Sequence, residues 1–163
     1  MMELNQTTLR GILAQITSVD ERFIVPKEGR WWNPQDLKNI KPNTWCAYVI
    51  SSKKPRTYPF FHSESGITDS VFTEKIATID LQFVGLQAEE IADSVALWPL
   101  REDVKKAFAE VRGSVLPDDI TAVSSNFYQD GSNTVLAWNV TIRVLYYQSL
   151  DTTLGRVKTI ELT

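Results

Sequence analysis

Cys46 and His62 form the one pair in this 163-residue chain that suggests a nucleophile and its base. A thiol attacks as thiolate and needs a neighbouring base or cation to hold it in that form. Cys46 falls in the apolar run 45–51, and His62 follows Phe60 and Phe61 ahead of a turn-like stretch. A small buried hydrophobe and a surface imidazole is the simpler account of the two. A metal centre needs three or four converging ligands, and with one Cys and one His only carboxylates are left to build it. Asp118–Asp119, Glu89–Glu90 and Glu102–Asp103 are neighbours in sequence. Adjacent helical positions diverge, so these pairs read as solvated charge and helix starts. The seven glycines are scattered and follow no phosphate-cradling spacing. No catalytic, cofactor-binding or metal-ligating residue is assigned, and no enzymatic activity is expected.

Two clusters suit binding. Lys53, Lys54 and Arg56 lie beside Tyr58, Phe60 and Phe61, a mixture of cations and rings that suits single-stranded nucleic acid. The net charge of −3 and a pI near 5.2 argue for the other account. In it the lysines guard a sheet edge and the rings meet a partner subunit. Trp31 and Trp32 sit in a stretch punctuated by Pro26, Gly29, Pro34 and Pro42. There they serve either as an interaction anchor or, with the loop folded back, as a contribution to the core.

The elements that must position these residues follow from periodicity. Leu9, Ile12, Leu13 and Ile16 make a helical stripe over residues 6–18. Residues 45–51 are β-branched and aromatic, as strands are, and Pro55 and Pro59 confine 52–61 to an edge or an arm. Residues 67–84 read as one very long strand. Ala77, Ile79, Leu81 and Phe83 face one way and Thr78, Asp80 and Gln82 the other. Gly85 ends it. Ala88, Ile91, Ala92 and Val95 form a second stripe, and Val104, Ala107, Phe108 and Val111 a third. Pro99 suits the first turn of a new helix, and Gly113 a left-handed cap. Strands at 121–128 and 135–147 flank the hairpin signal Asp130–Gly131. Residues 156–162 suit one more short strand.

The sum is a single domain spanning 1–163, of class α+β. It has a mainly antiparallel sheet of about four strands, helices packed on one face and a long protruding β-hairpin arm at about 52–74. A C-terminal tail starts at about residue 150. The arm carries Tyr58, Phe60, Phe61, Ile67, Val71 and Phe72, which need cover, and a second copy of the chain is the simplest source. The tail can join by adding a strand to a neighbour's edge. The expected interface residues are Trp31, Trp32, Tyr58, Phe60, Phe61, Val71, Phe72 and Ile160. No secretory signal or membrane-length apolar run is visible, which points to the cytosol at synthesis.

Several of these features together resemble one family. They are the amphipathic N-terminal helix, Tyr48–Val49–Ile50, the arm, the strand Thr78-Ile79-Asp80-Leu81-Gln82-Phe83-Val84-Gly85, the helix with Ala88 and Ala92, and the strand pair about Asp130–Gly131. The chain is similar to phage neck and tail-terminator proteins of the gp12-like neck terminator group. That resemblance implies a hexameric ring at the head-proximal end of the tail tube. The ring would stop tail polymerisation and join tail to head. Its partners would be tail-tube and neck or connector proteins, possibly sheath, and genomic DNA would cross the lumen without specific binding. The location implied is the virion, assembled in the host cytoplasm, with no membrane partner and no cofactor. A collar or head-completion role is the alternative within the neck. A small α+β ligand-binding domain or enzyme is the alternative from another class, and it would require a deep pocket.

Overall fold

The computed structural model describes residues 3–27, 43–56, 60–64, 68–130 and 133–152, with side chains at 3–27, 43–56, 73–127 and 134–148. Helix α1 (Gln6–Thr17) opens with a reciprocal cap. The Thr8 N–H donates to Asn5 Oδ1, and the Asn5 N–H donates to Thr8 Oγ1, both at 2.9 Å. Two of the amides that a helix start leaves unpaired are thereby satisfied. The helix ends where Ser18 turns left-handed, with φ 60°. Its stripe of Leu9, Ile12, Leu13 and Ile16 is buried, as the spacing predicts.

A 3-10 turn (Glu21–Phe23) leads into β1 (Ile24–Pro26). Then come β2 (Thr44–Pro55), β3 (Phe60–Glu64) and β4 (Thr68–Gly85). After them follow α2 (Ala88–Ser94), a 3-10 helix (Val95–Leu100) and α3 (Glu102–Ala109). The chain continues through β5 (Gly113–Val115), a 3-10 turn (Pro117–Asp119), β6 (Ser124–Asp130) and β7 (Asn133–Thr152).

The class is α+β. Among the described residues seven strands, not about four, form one mixed sheet in the order β1-β2-β4-β7-β5, with β3 on β4 and β6 on β7. β1 runs parallel to β2, and every other pairing is antiparallel. The undercount has a plain cause. β1 and β5 are three residues long, too short to show a period. β3 starts inside the stretch that Pro55 and Pro59 mark as an edge or an arm.

β4 is the axis of the sheet. One of its edges holds β2 and then β3, and the other holds β7 from Val84↔Ala137 to Asp69↔Thr152. The outer end is therefore a three-stranded ribbon, β3–β4–β7, and not a bare hairpin. Leu150–Thr152, expected in the tail, belong to β7. Ser149, Asp151 and Thr152 carry no apolar alternation, so the extension of β7 is invisible in composition. The strands that flank Asp130–Gly131 pair antiparallel as expected, with Asp130 opposite Asn133.

The helices cover one face. Ala77, Ile79, Leu81 and Phe83 of β4 share a single buried cluster with Val140, Ile142, Val144 and Tyr146 of β7 and with the helix stripes. At fully buried aliphatic and aromatic positions this burial is worth about 1.5–3 kcal/mol per side chain before chain entropy is counted. Gly85 turns with φ 102°, a conformation that favours glycine. Two local readings are corrected. Pro99 lies inside the 3-10 helix, and α3 starts only at Glu102 after an extended Arg101. The left-handed residue after α3 is Arg112, φ 51°, and Gly113 already belongs to β5. Gly113 is needed for closeness, since a Cβ there would lie 3.1 Å from Val144 Cγ1.

Candidate interaction surface

Cys46 and His62 do not form a pair. Cys46 pairs with Phe83 of β4, and His62 pairs with Ser70. The two positions on β4 differ by 83 − 70 = 13 residues, roughly 43 Å along a strand. Cys46 is fully buried, and burial drives its thiol far above the usual range. It is an inert core residue and not the nucleophile of such a pair.

The carboxylate pairs are also accounted for. Glu89 and Glu90 occupy the first turn of α2. Glu102 meets Lys105 at 3.1 Å, and Asp103 meets Arg101, whose hydrogen bond holds that carboxyl below its ordinary value. Asp119 lies 3.8 Å from Arg143. Among the described residues no group of three or more His, Cys, Asp or Glu can hold a metal.

The polar face of β4 is tied to β7 at Asp80 and Gln82. Thr141 Oγ1 donates to Asp80 Oδ1 at 2.8 Å, and Gln82 Nε2 donates to Asn139 Oδ1 at 2.9 Å. Gln82 is 1% exposed. These bonds satisfy groups that would be costly to bury alone.

Of the expected interface residues, Trp31, Trp32, Tyr58 and Ile160 lie outside the described residues. The other four meet in the ribbon. Phe61 pairs with Val71, and Val71 pairs on its other side with Leu150. Phe60 pairs with Phe72, whose other partner is Ser149. Register partners share a face, and successive rows alternate. The two rows therefore belong to opposite faces of the ribbon. Leu150 joins this row because β7 runs on to Thr152, past the strand end at 147 that the sequence suggests.

The base of this ribbon is fastened to the N-terminus. Lys53 Nζ donates to the Leu4 carbonyl at 2.7 Å and lies 5.7 Å from the centre of the Tyr146 ring. Gln148 Nε2 reaches Glu3 Oε1 at 2.9 Å, and Tyr147 OH donates to Glu74 Oε1 at 2.8 Å. The Glu74 carboxylate raises the Tyr147 phenol above its ordinary value. Lys53, read as an edge cation, thus serves the fold. Beyond Ala77 and Tyr146, no residue of β4 or β7 with a described side chain is fully buried.

No protein-family model matches the chain, and no curated protein sequence does.

Leu97 is 57% and Leu100 76% exposed, three apart on a 3-10 helix, where such positions eclipse. Beside them a recess of about 190 Å³ opens between Trp98, Pro99, Val104, Phe108 and Val115, with Lys105 also in its lining. The buried Trp98 indole N–H has no acceptor among the described residues. This space is smaller than the roughly 300–1,000 Å³ of small-molecule sites.

Proposed function

We propose that the chain is a structural protein of a phage neck. In this reading, copies form a hexameric ring that caps the head-proximal end of the tail tube, ends tail growth and joins tail to head. The resemblance of the strand 78–85, the helix after it and the paired strands about Asp130–Gly131 motivates the reading. One observation supports it further. β4 and β7 continue together to Asp69 and Thr152, beyond the last fully buried positions Ala77 and Tyr146. This outer part carries the rows Phe61–Val71–Leu150 and Phe60–Phe72.

An apolar ribbon end of this kind gains most by lying on a neighbouring copy. The ribbon of one copy then meets a different patch on the next, and such head-to-tail contacts close into rings when the rotation permits. The work of the ring is shape and charge complementarity towards tube and connector proteins, in the virion. The net charge of −3 suits a lumen through which DNA passes without specific binding. Electron microscopy of the purified protein, alone and with tail tubes, tests the reading. Rings with an open channel and tubes capped at fixed length support it. A compact monomer at high concentration overturns it.

A further inference from the structure

β5 ends the sheet order, and its outer side bears no strand among the described residues. The Leu116 N–H donates to the Arg143 carbonyl at 2.9 Å, and Ser114 stands opposite Leu145. In an antiparallel ladder bonded and non-bonded positions alternate. The backbone groups of Ser114 thus point at β7, and those of Gly113 and Val115 point away from it. Among the described residues, neither Gly113 nor Val115 makes an outward hydrogen bond. An edge of this kind is a template for an added strand.

The recess lies directly beside this edge. It is bounded by the helix-side residue Val115 together with Trp98, Val104 and Phe108. A strand laid along β5 puts every second side chain on the helix side, about 7 Å apart. Gly113, Ser114 and Val115 all line the recess, so side chains on that side of an added strand would border it.

We infer that the outer edge of β5 receives residues 153–163 of a second copy of this chain as an added strand, with Ile160 and Leu162 over the recess. Ile160 and Leu162 stand two apart with Glu161 between them, the spacing the edge requires. These residues follow β7, which ends at Thr152. They number 163 − 152 = 11 and span roughly 36 Å when extended. The strand is assigned to another copy because the copies self-associate in the reading above, and protection that persists on dilution would place it in the same chain. Edge and tail are different surfaces, and their contact is head-to-tail. The inference rests on the self-association proposed above and on no phage component.

Amide hydrogen exchange on the full chain tests it, comparing wild type with the double variant Ile160→Asp, Leu162→Asp. In concentrated wild type, exchange at Gly113 and Val115 is expected to be slowed about tenfold relative to dilute protein. The double variant should lose that protection at any concentration. Mixing isotopically heavy wild-type chains with excess light variant, and heavy variant with excess light wild type, should restore protection only in the second mixture. Equal exchange in wild type and variant, or protection that ignores dilution and mixing, overturns the inference. If the variant still forms rings and the wild-type amides are unprotected, the strand exchange fails and the ring stands. If wild type never self-associates, both fail.

Discussion

The ammonium of Lys53 sits 2.7 Å from the carbonyl oxygen of Leu4, forty-nine residues away in sequence. Leu4 is fully buried, so this bond closes the N-terminal segment over the core where the ribbon begins. Lys53→Met keeps the aliphatic stem and removes the donor. The variant is expected to lose about 1 kcal/mol, the scale of one hydrogen bond with its charge partly screened by solvent. Chemical denaturation with an unchanged slope checks it.

Tyr147 and Glu74 make the ribbon sensitive to alkali. The phenol donates to the carboxylate, and the bond, together with the negative charge, raises the phenol above its ordinary value of 10.0. A raised value in the fold means a contribution that is complete below about pH 10 and fades as pH climbs through the folded value. Glu74→Gln should bring the Tyr147 titration down towards 10, and Tyr147→Phe should flatten the alkaline loss. Ring resonances followed by NMR across pH 8–12 test both. An unmoved Tyr147 titration in Glu74→Gln counts against the pairing.

Cys46 should ignore thiol reagents until the protein unfolds. Its side chain is fully buried, and burial raises the thiol well above its ordinary value of 9.0. Only the unfolded chain ionises near that value, so the contribution of Cys46 is full below about pH 9 and declines above it. Labelling with a chromogenic disulfide should follow the unfolding rate. Fast labelling of folded protein would contradict this. Cys46→Ala should cost about 1 kcal/mol and leave assembly intact.

Val71→Asp and Phe60→Asp act on opposite faces of the ribbon, because Val71 shares a row with Phe61 and Leu150 while Phe60 shares one with Phe72. The variant that strikes the face in contact with the next copy should abolish rings in light scattering. That variant should still melt cooperatively as a monomer, which separates loss of assembly from loss of the fold. Assembly unchanged in both variants would remove the ribbon from the interface.

Phe83, Leu81, Ile79 and Ala77 needed no neighbours to be placed. A strand side chain alternates with period two, so four apolar residues at that spacing declare a buried face before any partner is known. The helix stripes through Leu9–Ile16 and Val104–Val111 are legible for the same reason at period 3.6. These signals are local, and they survive in composition. Pairing is not local. Nothing in Ser149 or Asp151 announces a partner in Phe72 or Ser70, and three residues from Gly113 to Val115 are too few to carry a period. The reach of β7 along β4, the pairing of β5 with β7 and the bond from Lys53 to Leu4 arise when distant segments share the same ladder or the same edge of the core. The chain's own order of residues sets which faces must be buried. Packing alone selects which segments bury them, because that choice depends on contacts far apart in sequence.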